Sequence, residues 1–183
     1  MKRSLAAFLF LLALGANAAA AQSDARGFYA GVVAGTSTLE DDGIFAGLNF
    51  DDSGTGYGLV GGYKIFRYLA VEGRLLNLGS YSVEGVNLDV TGYSAHAVGI
   101  LPLGRGGWEL FGQLGIGGVR FDSDCCGGGT NTAGSAGLGV RFYPTAHLGI
   151  SLQVDAYAWQ EEDFYDTYNV GVRTAQLGVH YLF

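Results

Sequence analysis

From Gly27 onward, apolar and polar positions alternate in short runs instead of recurring every three or four residues, which is the period of strands and not of helices. The last run is the plainest. Over Val170 to Phe183, Ala175, Leu177, Val179, Tyr181 and Phe183 fall on one side, and Thr174, Gln176, Gly178, His180 and Leu182 on the other. Over Leu148 to Ala158, Leu148, Ile150, Leu152, Val154, Ala156 and Ala158 likewise oppose Gly149, Ser151, Gln153, Asp155 and Tyr157. The same pattern predicts strands over Gly27 to Ser37, Gly54 to Lys64, Leu69 to Gly79, Leu88 to Leu101, Trp108 to Phe121 and Thr132 to Tyr143. Short turns at 66–68, 102–107 and 144–146 alternate with longer loops at 39–53, 80–87, 122–131 and 160–168. Two places resist the rule. Leu76 and Leu78 fall on the polar side of their strand, and Leu88 to Leu101 has apolar and small residues on both faces, which leaves its facing open.

Strands of roughly 10 to 14 residues are long enough to cross an outer membrane when tilted. An even strand number, one apolar face per strand and the alternation of turns with loops predict an all-β fold, an eight-stranded antiparallel up-and-down transmembrane β-barrel. Closure is required because lipid offers no partner to an unpaired edge. A soluble lipocalin-like barrel would point its apolar face inward around a ligand. Against it, Phe28, Tyr63, Trp108, Phe142, Tyr181 and Phe183 gather at the turn-side strand ends, where an interfacial aromatic girdle belongs.

Composition agrees, with 32 Gly, 2 Pro and 49% hydrophobic residues. Lys2 and Arg3, the apolar run Leu5 to Leu14 and the small residues Ala16 to Ala21 have the layout of a secretory signal peptide. The expected division is therefore a leader over 1–21 and a barrel domain over 22–183, with cleavage after Ala21. No Cys follows that site closely, which argues against a lipoprotein. Losing Lys2 and Arg3 leaves 8 of the 10 basic residues against 17 acids, a formal charge of −9. Nucleic acid is excluded as a partner by that charge.

The order of several short motifs resembles the OmpA-type transmembrane domain. They are Gly61-Gly62-Tyr63-Lys64, a turn, then Val71-Glu72-Gly73 and Leu78-Gly79, followed by Gln113-Leu114-Gly115, Gly139-Val140-Arg141 and the closing Leu177-Gly178-Val179-His180-Tyr181-Leu182-Phe183. The resemblance implies a cell outer membrane location in a Gram-negative bacterium. It also implies recognition of the C-terminal strand by the barrel-assembly machinery, and a lumen acid on the third strand that pairs with basic groups and plugs the pore. Glu72 matches that acid. Where the family's type member carries an acid, this chain has Arg141, so its pairing must differ. The periplasmic peptidoglycan-binding domain of larger members is not expected, nor is tethering to the cell wall.

An eight-stranded lumen is just wide enough for side chains to fill, and buried charges survive only when paired. Glu72, Arg74, Gln113, Arg141, Gln153 and Asp155 form the candidate lumen network, with Arg74 and Arg141 as partners for Glu72. Catalysis has one candidate pair, Ser94 with His96, which share a strand face; His147 and His180 lie at the turn end, away from lipopolysaccharide. No third member is marked, so no catalytic residues, no metal site and no cofactor are expected. Twelve of the 17 acids lie in the four loops, with no Lys or Arg among them. They read as a solvated rim, with loose Ca²⁺ or Mg²⁺ contact as the alternative. Cys125 and Cys126 are adjacent in an oxidising compartment, which leaves a strained vicinal disulfide, an intermolecular bridge or a metal or redox role. The expected function is structural and surface-presenting, for envelope integrity or adhesion, by a monomer that contacts outer-membrane lipid and lipopolysaccharide and meets a host or surface ligand at its loops. The alternatives are a narrow passive diffusion pore and a lipid A-modifying enzyme.

Overall fold

The computed structural model describes residues 26–41, 50–51, 53–83, 86–104, 106–123, 127–162 and 167–183. The predicted leader, Cys125 and Cys126 lie outside these residues. Strand β1 spans Gly27–Asp41, β2 is the short Phe50–Asp51, β3 spans Ser53–Phe66 and β4 Leu69–Val83. After them come β5 over Val86–Leu103, β6 over Trp108–Ser123, β7 over Gly127–Phe142, β8 over Leu148–Glu162 and β9 over Thr167–Leu182. All ladders are antiparallel, β1 with β3 and each of β3 to β8 with the next, and the pairing of β1 with β9 closes the barrel. The wall thus has eight strands, with β2 added outside it on the loop-side end of β4. Among the described residues there is no helix.

The registers give the wall its slant. Successive partners of Trp108 are Phe142, Ile150, Val179, Val32, Leu59, Leu75 and Tyr93, and the next step returns to β6 at Gly118, ten residues along. Such a shear tilts the strands by roughly 35–45°. Alternation then sorts the side chains. Leu59, Leu75, Leu114, Ile116, Leu138, Leu152 and Leu177 face outward, each more than half exposed. An apolar outer belt of this kind is tolerable only against lipid, and the lipocalin-like facing is excluded. On β5, Val90, His96, Val98 and Ile100 point inward and Tyr93, Ala95, Ala97 and Leu101 outward, which settles the facing that periodicity left open.

The predicted loops are corrected. Strands extend into segments 39–53, 80–87, 122–131 and 160–168: β1 runs to Asp41, β5 starts at Val86, β6 ends at Ser123, β7 starts at Gly127, β8 ends at Glu162 and β9 starts at Thr167. Glu40, Asp41, Asp51, Asp122, Glu161 and Glu162 are therefore strand residues. Beyond the apolar belt water reaches both faces of a strand, so the ladder continues without the alternation that marks it in sequence. The turns stay short, at Arg67–Tyr68, at Gly104 with 106–107, and at 143–147.

Besides Gly104 and Gly107 in the turn, one glycine within a described strand is demanded by backbone shape. Gly79 has φ +121°, sits where the β4–β5 register shifts by one residue, and donates its N–H to Asn77 Oδ1 at 2.9 Å. A methyl there would also come 3.0 Å from Ser37 Oγ. Gly61 is the contrast, with open space where its Cβ would be. Gly79→Ala is expected to cost more than about 1 kcal/mol of unfolding free energy in urea titrations of the lipid-reconstituted chain, and Gly61→Ala almost nothing; equal effects would contradict this placement of strain.

Candidate functional site

The lumen collects the chain's buried charge. Strand parity turns Glu72 and Arg74 of β4, Gln113 of β6, Arg141 of β7 and Gln153 and Asp155 of β8 inward, where all six are buried. Arg74 joins most of them. Its Nε donates to Glu72 Oε1 at 2.5 Å, its Nη1 to Asp155 Oδ2 at 3.0 Å and its Nη2 to Gln113 Oε1 at 2.7 Å. Gln153 Nε2 donates to Asp155 Oδ2 at 2.8 Å and to Gln176 Oε1 at 3.2 Å, and Gln113 Nε2 donates to Asp155 Oδ1. A planar guanidinium suits this task because its donors leave in fixed directions, each toward a different strand. Gly137 makes the space: a Cβ on it would collide with Asp155 and come 2.9 Å from Gln113 Nε2.

Arg141 stands apart from this knot. Its Nη2 lies 3.8 Å from Glu72 Oε2, and its guanidinium packs 4.9 Å from the Phe111 ring and 5.4 Å from the Tyr29 ring. Glu72 instead fills its second oxygen with the Tyr29 hydroxyl, which donates to Oε2 at 2.7 Å. Nearer the turns, Lys64 Nζ donates to Glu109 Oε1 at 2.6 Å, with both side chains buried. The sequence reading left out Lys64, Glu109, Tyr29 and Gln176. Parity held the signal for Lys64 and Glu109, because each alternates with residues of the outward face. Lys64, Arg74 and Arg141 oppose Glu72, Glu109 and Asp155, so the buried charges balance.

Toward the loops the filling changes character. Leu76, Leu78, Val90, Val119, Ala133, Trp159 and Val172 are all buried on the inner face, with Phe121 packed 5.1 Å from the Trp159 ring. Leu76 and Leu78 thus keep the inward parity of Glu72 and Arg74, and what looked like a broken alternation is an apolar layer of the lumen. Such a layer offers few polar groups with which an ion could replace its hydration.

The remaining candidates fall as follows. His96 is inward and buried, with Nε2 2.7 Å from Ser94 Oγ. Among the described residues no group of three His, Cys, Asp or Glu side chains could hold a metal. His147 is exposed at the turn end, where Nδ1 lies 2.8 Å from the Leu182 carbonyl oxygen and the ring stacks on Tyr181. The six turn-side aromatics form pairs, Phe28 with Tyr63 at 4.7 Å between ring centres, Trp108 with Phe142 at 4.6 Å and Tyr181 with Phe183 at 5.1 Å. Asp42, Asp52, Glu84, Asp124, Asp163 and Asp166 lie outside the described residues.

A family model described as outer membrane protein beta-barrel domain matches residues 6–183. No curated protein matches the chain. Among solved structures it is similar to Neisserial surface protein A, at a TM-score of 0.68 and 15% identity over 86% of this chain and 97% of that one. It is also similar to Ail, the attachment invasion locus protein of Yersinia pestis, at 0.57 and 21% over 87% and 100%. For OprG of Pseudomonas aeruginosa the values are 0.56 and 14% over 88% and 99%. At these identities the likeness is one of fold.

The hub geometry ranks two substitutions. Arg74→Met strands the buried carboxylates of Glu72 and Asp155 and is expected to cost about 3–5 kcal/mol. Tyr29→Phe removes one hydrogen bond to a charged acceptor and should cost about 1.5–3 kcal/mol. Equilibrium urea unfolding in lipid measures both, and the reverse order would contradict Arg74 as the hub.

Proposed function

The chain belongs to the outer membrane β-barrel domain family, and from that membership we propose that it is a non-conducting barrel that presents its outer strand ends and acidic connections at the cell surface, for envelope integrity or adhesion. The observation that carries this reading is the filled lumen, in which a charge-balanced hydrogen-bonded layer and an apolar layer lie in series. Its working surface is then outside the membrane. Twelve of the 17 acids of the chain fall in the four segments at that end, where they repel one another and extend into water or gather divalent cations from the lipopolysaccharide layer. The apolar belt contacts lipid, and the closing strand with Tyr181 and Phe183 is the part offered to the assembly machinery.

A narrow diffusion pore would need a polar path through the layer of Leu78, Val90, Val119 and Val172, and all four are packed shut. A lipid A-modifying enzyme would need its nucleophile and base to reach the outer leaflet, whereas His96 points into the lumen and is 4% exposed. These observations favour surface presentation over both rivals.

Conductance in planar bilayers tests the reading. The wild type is expected to be silent, and Glu72→Ala alone equally silent, because the apolar layer still closes the path. Glu72→Ala with Val119→Ser and Val172→Ser should give resolvable channel events. Steady conductance of the wild type would overturn the proposal, and opening by Glu72→Ala alone would strip the apolar layer of its role as a seal.

A further inference from the structure

Most ladders of the wall run to the loop-side ends of their strands; two stop early. Between β3 and β4 pairing ends at Tyr57 opposite Asn77, and between β7 and β8, among the described residues, it ends at Gly134 opposite Ala158. The first gap is filled by the chain itself: Phe50 and Asp51 of β2 pair with Val83 and Ser82 on the freed edge of β4. At the second gap β7 stays paired with β6 from Gly127 on, and β8 stays paired with β9 as far as Glu162. The two hairpins part, and no described residue pairs with the outer edge of Gly127–Ala133.

That edge begins near the top of the membrane's apolar band. Gly134 is eight residues from Phe142 along β7, and Ala158 is ten from Leu148 along β8. At about 3.3 Å per residue and a tilt of roughly 40°, the ladder ends about 20–25 Å above the aromatic girdle. The apolar band of an outer-membrane barrel is about 25 Å tall. Pairing therefore persists where lipid demands it and stops where water begins. The segment Gly-Gly-Gly-Thr-Asn-Thr-Ala contains no charge and no proline, so it lacks the devices that keep exposed strand edges from pairing. Beyond Ala158 the β8 strand continues through Glu161 and Glu162, and residues 122–131 and 160–168 contain acids and neither Lys nor Arg.

We propose that the outer half of β7, Gly127–Ala133, is a strand-addition site that takes an extended, basic peptide segment of another protein at the cell surface. Main-chain hydrogen bonds to the free edge supply the binding, as β2 does on β4, and the acids of the segments on either side of that edge in sequence select for Lys and Arg. A second copy of this chain is a poor occupant, because its own outer end is equally acidic. The inference rests on the surface-presenting reading and names the partner class for it.

The probe is a synthetic twelve-residue peptide alternating Lys with Thr and Val, titrated into the full mature chain in lipid nanodiscs. Hydrogen exchange and amide shifts are read at Gly127–Ala133. Binding is expected to slow exchange of the edge amides at least about tenfold. N-methylation of alternate backbone nitrogens, which keeps the charge, should weaken binding at least about tenfold, and replacing Lys by Glu should abolish it. Closing the gap supplies a second arm. In a Cys125→Ser, Cys126→Ser background, Thr132→Cys with Gln160→Cys continues the β7–β8 register, and its oxidised form should lose binding that reduction restores. Equal binding of the N-methylated peptide, protection elsewhere or no binding at all would overturn the proposal. A failure of the surface-presenting reading would show instead as conductance in the bilayer assay, which is separate from peptide binding.

Discussion

The rest of the structure depends on the rule that a charge enclosed by eight strands must find its partners inside. Arg74 meets that demand with donors aimed at Glu72, Asp155 and Gln113, which come from β4, β8 and β6. Because those partners lie on opposite walls, the network couples strands that share no ladder. It also fixes what the wall can hold nearby, as at Gly137, where any side chain would occupy the space of the Asp155 and Gln113 contact. A buried network of this kind is a weak source of net stability but a strict specification of register, since a one-residue slip would turn Arg74 and its partners toward lipid.

The outside of the wall answers to a different solvent. Lipid requires every backbone group of the belt to be paired, and the ladders comply from the aromatic girdle to the level of Gly134 and Ala158. Above that level the requirement lapses and the strands follow their hairpin partners. The same change of solvent permits the free edge of β7, and it places any recognition of other molecules on the part of the chain that lipid does not constrain.

Much of this was legible in the sequence, for reasons particular residues make plain. Alternation over Leu148 to Ala158 was enough to send Gln153 and Asp155 inward, and the same parity holds Glu72, Arg74, Leu76 and Leu78 on one face of β4. The expectation of a wholly polar lumen hid the meaning of Leu76 and Leu78, which form part of its apolar layer. Lys64 and Glu109 were visible by parity but come from strands that share no ladder, and no local spacing announces a pair separated by 45 residues. The facing of β5 was illegible because Val98 and Ile100 inside and Leu101 outside are chemically alike. The outer ends of the strands were missed because Gly127-Gly128-Gly129 carries the composition of a loop, while β6 beside it supplies a continuous set of pairing partners.

The most direct test of the central claim, that Arg74 is locked in a closed network within the lumen, is NMR of the full mature chain in lipid nanodiscs, read at the Arg74 Nε–Hε signal. The account predicts a resolved resonance with slow guanidinium rotation and exchange with solvent at least about a hundredfold slower than for an exposed arginine. A signal averaged by free rotation and exchanging as fast as that of a surface arginine would contradict it, because the side chain would then be standing in a water-filled lumen.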